Sequence, residues 1–170
     1  MSAMNTNEKF YENDTGVYFK SDYPSQWYIS PFIYYNGITY NCCEQRMMHA
    51  KALFFGDEET ATLIMNATEP KEQKKLGRTV KNFDEVAWNN IADLVVYNAN
   101  LAKFSQNDEL KQKLLATGDK LIVECSPYDS IWGNGLDIST TLITRVNDWK
   151  GANRLGQAIM KVRDYLKSEQ

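Results

Sequence analysis

Apolar and polar positions along the chain predict a few short β-strands. Phe32–Tyr35 and Ile38–Tyr40 are rich in β-branched and aromatic side chains and are joined by Asn36-Gly37. That dipeptide is typical of a type I′ turn, so we expect a β-hairpin here. Lys120–Cys125 has the same enrichment after a turn-forming stretch and predicts a buried strand, whereas residues 10–20 predict a short strand or a loop.

Helical periodicity and helix-capping residues dominate the rest of the chain. Asn41 is expected to cap the first helix, on which Cys43, Met47, Ala50 and Phe54 recur at helical spacing and should face the core. The predicted helices run from Cys42 to about Phe55, Asp57 to about Asn66, Pro70 to Gly77, Asp84 to about Phe104, Asn107 or Asp108 to Leu115, and Asn153 to about Lys167. The sequence therefore predicts an α+β fold that is mainly α-helical, with a small β-hairpin or sheet.

Length and charge narrow the class of protein. A chain of 170 residues suits one domain with a real hydrophobic core, which we expect over residues 10–170 after a polar, disordered tail at residues 1–9. The net charge of -3 excludes the broad positive field of a sequence-independent DNA-binding protein. The N-terminus lacks the features of a signal peptide, and no apolar run has the length of a membrane span, so the expected compartment is the cytoplasm, without membrane contact.

The cysteine and histidine counts argue against a metal site. The three cysteines lack CxxC spacing, and the single histidine, His49, excludes mechanisms that need two imidazoles. Neither a GxGxxG nor a GxxxxGK[ST] string is present, so no Rossmann or P-loop nucleotide site is predicted. We therefore expect no metal and no cofactor, and chemistry based on carboxylate, lysine or tyrosine side chains.

The first predicted helix carries a carboxylate and an amine on one face. Glu44 and Lys51 are seven residues apart, hence at nearly the same angular position and about 10 Å apart along the helix axis. Both side chains can reach one cleft. The structural alternatives are a capping-box role for Glu44, returning to the Asn41 N–H, and a solvated or snorkelling lysine at position 51.

A second candidate region follows the predicted strand Lys120–Cys125. Glu124 is expected half-buried or at a cleft, either paired structurally or with a raised pKa. The loop Ser126–Gly135 supplies Asp129, which can serve in chemistry or simply hydrogen-bond its own turn. Trp132 followed by Gly133 offers an aromatic surface to which a ligand can come close, although an isolated tryptophan is more often part of the core.

The one cluster of basic residues lies between positions 71 and 81. A solvated helix face explains such a cluster, and phosphate binding is the functional alternative. Arg78 is the best phosphate ligand in it, because a guanidinium binds phosphate in bidentate fashion.

A set of short motifs, taken together, makes the sequence recognisable. The set comprises Tyr23-Pro24-Ser25, Ser30-Pro31-Phe32, Glu44-Gln45, Ala50-Lys51-Ala52, Gly77-Arg78, Trp88, Ala102-Lys103-Phe104, Thr117-Gly118-Asp119, the ExSPxDxxWG string from Glu124 to Gly133, and Gly151-x-Asn153-x-Leu155-Gly156. Over about residues 23–166 the chain resembles the NADAR (YbiA-like) family. One departure is Ser25-Gln26-Trp27, where the family usually has an Asn in an SN(F/W) string, which leaves the details of substrate contact open.

The resemblance implies an N-glycosidase on a mainly helical α+β fold. Its substrates would be phosphoribosylated pyrimidine intermediates of riboflavin synthesis, or ADP-ribose linked to guanine in nucleotides or nucleic acid. The matching positions with implied active-site roles are Glu44, Lys51, Arg78, Trp88, Glu124, Asp129 and Trp132.

Cleavage of a ribosyl C–N bond builds positive charge at C1′ and requires protonation of the leaving nitrogen, so carboxylates near the sugar are expected. Glu44, Glu124 and Asp129 can fill these roles. Lys51 can instead form a Schiff base at C1′, for which its amine must be neutral, and the sequence leaves its pKa open. The competing hypotheses are a module that binds ADP-ribose without cleaving it and, least favoured, a structural or interaction protein. The oligomeric state stays open.

Overall fold

A computed structural model describes residues 8–170 of the chain. Its elements are β1 (Phe10–Glu12), β2 (Gly16–Phe19), β3 (Phe32–Ile33), β4 (Thr39–Tyr40), α1 (Cys43–Phe54), α2 (Glu58–Asn66), α3 (Pro70–Gly77), α4 (Glu85–Ser105), α5 (Asp108–Ala116), β5 (Leu121–Glu124), α6 (Ile138–Leu142), a 3₁₀ turn (Val146–Asp148) and α7 (Arg154–Ser168). The α+β, mainly helical fold class is thereby confirmed. The described residues form two units, one combining the segment up to Ser25 with Glu109–Gln170, the other Gln26–Asp108.

The first unit is built on a three-stranded sheet in the order β1-β2-β5. β1 and β2 pair antiparallel, whereas β2 and β5 pair in parallel with Val17 opposite Ile122. α7 packs against β5, and Asn153 joins the two by donating to the Ile122 carbonyl at 3.0 Å and accepting the Glu124 N–H at 3.0 Å. The start of α7 therefore fixes the end of β5, where Glu124 lies.

The second unit is helical, and α1 is its central element. α1 packs against α2, α3 and α4. In the hairpin of β3 and β4, β4 contacts α1 and β3 contacts α4. Cys43 and Ala99 bury their side chains against Phe32 and Tyr40 of the hairpin. His49 is also buried on α1, where its Nδ1 lies 2.8 Å from the Tyr40 hydroxyl. The histidine therefore has a structural partner.

The predicted hairpin is confirmed, because β3 and β4 pair antiparallel, but the predicted type I′ turn is wrong. Gly37 is in the left-handed region with φ 79°, and its N–H donates to the Tyr34 carbonyl at 2.8 Å. Asn36 keeps a negative φ, whereas a type I′ turn requires two positive values. The Tyr34 N–H then donates to the Ile38 carbonyl at 2.9 Å, the pattern of a type I turn followed by a glycine bulge.

The start of the first helix also differs from the prediction. Cys42, rather than Asn41, occupies the N-cap position of α1. The Asn41 side chain is used elsewhere, donating to the Thr68 carbonyl at 2.8 Å and accepting from Gln73 Nε2 at 3.1 Å. At the other end of the helix Phe54, expected in the core, is 46% exposed. Two further short elements, α6 and the 3₁₀ turn, were not predicted.

Three further expectations concern the N-terminal tail, the domain boundaries and membrane-spanning helices. Of the expected tail, residues 1–7 lie outside the described residues, while the Lys9 carbonyl accepts N–H groups from Lys20 at 2.8 Å and Ser21 at 3.2 Å. The domain boundaries at residues 10–170 stay a prediction. Within the described part, helices of the length and apolar character needed to cross a bilayer are absent.

Candidate active site

Glu44 lies in the first turn of α1 and is 7% exposed. Its N–H donates to the Gln26 carbonyl at 3.0 Å, which ties the start of the helix to the preceding segment. The capping-box hypothesis for Glu44 is wrong, because Gln45 Oε1 accepts the Asn41 N–H at 2.8 Å instead. The Asn41 N–H is therefore satisfied by Gln45 rather than by the buried Glu44.

Lys51 lies two turns further along the same face of α1 and is half-buried. Burial lowers the pKa of its amine, the Glu44 carboxylate opposes that shift, and the Arg78 guanidinium lowers the pKa further. The Lys51 Nζ also lies 4.4 Å from the centre of the Phe83 ring. Half-burial excludes a fully solvated Lys51, whereas the snorkelling alternative, with a buried stem and an accessible amine, fits the same observation.

Arg78 follows α3 directly and has an exposed side chain. Its position depends on Gly77, because a Cβ on Gly77 would overlap the side chain of Met48 on α1. The absence of a side chain lets α3 approach α1 closely. Arg78 is thereby brought within electrostatic range of Lys51, on which Glu44 also acts, so the second unit brings these three residues together.

Trp88 is placed differently from these three residues. It lies in the first turn of α4, behind the N-cap Asp84, whose side chain accepts the Ala87 N–H at 3.0 Å. The indole is only 6% exposed, so it packs in the core of the second unit and presents little surface for stacking. Its role in substrate binding stays a prediction.

Sequence reasoning gave no role to a buried polar group on α4. Lys103 is 1% exposed, and burial lowers the pKa of its amine, an effect that the nearby thiols of Cys43 and Cys42 oppose. One turn earlier, the Asn100 amide donates to Gln26 Oε1 at 2.8 Å and to the Val96 carbonyl at 2.9 Å. The signal was available, because Lys103 continues the apolar stripe of α4 that contains Trp88, Ala92, Val96 and Ala99.

In the first unit, Asp129 organises the loop that follows β5. Its Oδ1 accepts the N–H of Ile131 at 3.0 Å and the N–H of Trp132 at 2.8 Å, which is the turn-forming role that the sequence left open. Glu124 is half-buried at the end of β5, and its carbonyl accepts the Asn134 N–H at 2.9 Å. The Asp129 side chain therefore holds the middle of the loop, and the Asn134–Glu124 backbone hydrogen bond closes it.

Trp132 and Gly133 of this loop are both in contact with other groups of the protein. The Arg154 guanidinium lies 4.5 Å from the centre of the Trp132 ring, as a cation–π pair. Gly133 is buried, and a Cβ there would come within 2.8 Å of the Asp129 carbonyl oxygen and 3.1 Å of the Glu124 carbonyl oxygen. The missing side chain of Gly133 thus makes room for the loop's own backbone.

The side chains present suit acid–base and amine chemistry. Among the described residues, no group of three or more His, Cys, Asp and Glu side chains could hold a metal ion. The three cysteines are buried free thiols, and burial raises the pKa of each, to about 11 for Cys42 and Cys125 and about 12 for Cys43. These thiols are poor nucleophiles at neutral pH. The face of α1 carries an amine of lowered pKa, that of Lys51, and the buried carboxylate of Glu44.

Comparison with known proteins gives this combination a family context. The family model described as NADAR domain matches residues 9–167. The N-glycosidase R617 of Acanthamoeba polyphaga mimivirus is 41% identical over 157 residues, which cover 90% of this chain and 90% of that protein. The N-glycosidase YbiA of Escherichia coli is 31% identical over 115 residues, 68% of this chain and 65% of that protein.

The fold agrees with the sequence matches. The NMR structure of the E. coli protein YbiA superimposes with a TM-score of 0.74 at 28% identity, covering 99% of this chain and 95% of that one. The match at the level of a family model, of a relative over nearly the full length and of the three-dimensional fold all lead to the same family. The chain belongs to the NADAR family.

Proposed function

We propose that the chain cleaves the bond between C1′ of a phosphorylated ribose and a nitrogenous base, through a covalent intermediate on Lys51. The activity of its relatives supports the general class, a hydrolase acting on N-glycosyl bonds. The observation that carries the residue assignment is the shared face of α1, where the half-buried Lys51 lies within electrostatic range of both Glu44 and Arg78. The substrate is ADP-ribosylated guanine or a phosphoribosylated intermediate of riboflavin synthesis.

The first half of the reaction forms a Schiff base. Protonation of the ring oxygen opens the ribose, with the electron pair of the base nitrogen forming a C1′=N bond. The neutral Lys51 amine adds to C1′, a proton passes from its nitrogen to the base nitrogen, and the base departs with the electron pair of the C1′–N bond. Lys51 is left as a protonated Schiff base of the open-chain sugar.

The second half releases the sugar. Water adds to C1′, the resulting carbinolamine loses the Lys51 nitrogen as its amine, and the aldehyde sugar closes again to the ribose ring. The sum of both halves is hydrolysis, one water consumed for each base released. Because burial lowers the pKa of Lys51, more of the amine is neutral and able to attack near neutral pH than in a solvated lysine.

Glu44 is our candidate for the proton transfers. It is buried on the Lys51 face of α1, and its carboxylate acts electrostatically on the Lys51 amine. Asp129 fits the role less well, because one of its carboxylate oxygens already accepts two backbone N–H groups. Hydrogen bonds to the charged form favour a carboxylate that stays ionised rather than one that exchanges protons.

Phosphate binding and base stacking complete the proposal. The exposed guanidinium of Arg78 suits a phosphate or diphosphate in bidentate contact. Trp132 belongs to the first unit, and base stacking by its half-buried ring stays a prediction; the buried Trp88 presents less surface for stacking. Contributions from Glu124 and Gly133 stay predictions.

The test is a turnover assay read by mass spectrometry of the released base. The purified protein is given phosphoribosylated riboflavin intermediates and, separately, ADP-ribosylated guanine as mononucleotide and in DNA. Lys51→Ala and Glu44→Gln are assayed beside Lys71→Ala, a matched control that removes an exposed lysine from α3.

Release of base from one substrate class, lost in Lys51→Ala and retained in Lys71→Ala, is the expected result. It also selects the substrate. Absence of release from every substrate, with ADP-ribose still raising the melting temperature, would replace the proposal by a module that binds without cleaving.

A further inference from the structure

An exposed aromatic ring lies directly against the proposed nucleophile. Phe83 belongs to the segment between α3 and α4 and is 46% exposed, so packing in the core does not explain an aromatic side chain at this position. The centre of its ring is 4.4 Å from the Lys51 Nζ. At that distance the electron-rich face of the ring attracts a positive charge on the nitrogen.

The ring is held in place by its surroundings. Phe55 packs against Phe83 with ring centres 5.4 Å apart and planes at 69°, an edge-to-face pair. The segment is anchored before the ring, where the Lys81 N–H donates to Asp57 Oδ2 at 2.9 Å, and after it, where Asp84 caps α4. Asn82, immediately before Phe83, is in the left-handed region with φ 62°. Two anchors and a special backbone conformation thus set the ring beside the amine.

We propose that Phe83 is a positioning residue for Lys51: its ring face fixes the Nζ and stabilises the positive charge that this nitrogen carries as an ammonium and as the protonated Schiff base. The inference rests on the proposed function, because the Schiff base is part of it. Phe83 touches the nitrogen of Lys51, so it acts on the chemistry through Lys51.

The charged groups around Lys51 define what Phe83 adds. Glu44, on the same helix, favours the ammonium, whereas Arg78, at the end of α3, disfavours it. Asp57 and Lys81, which anchor the segment that carries Phe83, have partners of their own, since Asp57 accepts from Thr60 and the Lys81 N–H, and Lys81 pairs with Glu59 at 3.8 Å. The ring of Phe83 is a neutral group that favours a cation at Nζ without a counter-charge.

The test changes the charge distribution of the ring without changing its shape. Phe83 is replaced by mono-, di- and trifluorophenylalanine, which progressively weaken the attraction of the ring face for a cation. The same series at Phe54 is the matched control, because Phe54 has the same 46% exposure and packs edge-to-face on Phe55 with ring centres 4.9 Å apart. The pKa of Lys51 is measured by competitive labelling of its amine, which does not depend on turnover.

Two graded effects are expected from the Phe83 series. The pKa of Lys51 falls with each added fluorine, by roughly half a unit for the trifluoro ring. At pH values above the pKa of Lys51, the yield of borohydride-trapped sugar on Lys51 is about two- to fivefold lower with the trifluoro ring than with phenylalanine. The protonated Schiff base has then lost stabilisation by the ring. The Phe54 series leaves both quantities unchanged.

The outcomes separate this inference from the proposed function. A trapped adduct on Lys51 with a flat response to the Phe83 series would overturn the positioning role and leave the proposed function intact. A wild-type protein that releases base without any trapped adduct on Lys51 would overturn both. Equal responses of the Phe83 and Phe54 series would mean that general packing, not the ring face, sets the Lys51 amine, and would also overturn the inference.

Discussion

The face of α1 and the loop after β5 both carry carboxylates that family resemblance marks as functional, but they differ in how those groups are used. In the loop, Asp129 accepts two backbone N–H groups and holds the turn together. On α1, Gln45 takes over the corresponding structural bond, and the buried Glu44 is not needed for it. The turn-forming role is therefore filled by Asp129 itself, whereas the capping role foreseen for Glu44 is filled by its neighbour Gln45.

The cation positions of the two regions differ in the same way. Arg154 stacks on Trp132 and covers part of the aromatic surface of the loop. Lys51 faces Phe83, but its amine also responds to Glu44 and Arg78, and burial lowers its pKa. Lys51 thus differs from Arg154 in that burial, Glu44 and Arg78 compete over its protonation. The following experiments test this distinction.

The largest effect is expected from removing the Lys51 amine. Lys51→Ala should lower kcat/KM by roughly 10⁴-fold or more, because a nucleophile has no substitute in a covalent mechanism. The free energy of unfolding should change little, since the side chain is only half-buried. Steady-state kinetics and urea denaturation measure the two quantities. Turnover within tenfold of wild type would remove Lys51 from the mechanism.

A pair of isosteric amide substitutions compares the two carboxylates directly. Glu44→Gln should lower kcat by about 10²-fold or more, because the amide cannot exchange protons. Asp129→Asn keeps an oxygen acceptor for the two N–H groups and should lower kcat by less than about tenfold. The same assay applied to both variants decides the comparison. The reverse order of effects would place the proton transfers on Asp129.

The close approach of α3 to α1 can be tested through its glycine. Gly77→Ala places a methyl group against the Met48 side chain and should destabilise the protein by roughly 1–3 kcal/mol. Because Arg78 follows directly, KM should rise more than kcat falls. Thermal denaturation and kinetics, beside Lys75→Ala on the exposed side of α3, provide the measurement. An unchanged KM would separate Arg78 from substrate binding.

The smallest effect concerns the buried amine of Lys103 and appears in the pH dependence of stability. Its pKa in the folded protein is below the ordinary 10.5, so between those two values the unfolded chain holds a proton that the folded chain lacks. Stability should therefore rise with pH across that window. Lys103→Met removes the group, and its urea unfolding curves should show a weaker rise than wild type. Parallel pH profiles for the two proteins would contradict the lowered pKa.

Much of the fold was accessible from local sequence signals. Asn36-Gly37 gave the hairpin, and capping residues such as Asp57 and Asp84 gave helix starts that the structure confirms. The errors came from longer-range contacts. Asn41 looks like a helix cap, but Thr68 and Gln73 engage its side chain, and Phe54 continues an apolar stripe at a helix end that has nothing to cover it fully.

The placement of Glu44 and Lys51 on one helix was predictable from the sequence, but the protonation behaviour of their side chains was not. The spacing of Glu44 and Lys51 placed both on one face of a helix, as observed. The direction of the Lys51 pKa required the positions of Arg78 and of the surrounding apolar groups, which local sequence does not contain. Lys103 was missed because a single lysine in an apolar stripe does not by itself indicate a buried amine, and only the structure shows that Lys103 is buried.

The most direct test of the account is chemical trapping of the intermediate. Wild-type protein is mixed with the substrate that it turns over, reduced with borohydride during the reaction, digested, and mapped by mass spectrometry. We expect a single reduced adduct carrying the sugar without its base, on the peptide that contains Lys51. An adduct on Lys103, or base release with no adduct on any lysine, would contradict the assignment of Lys51 as the nucleophile.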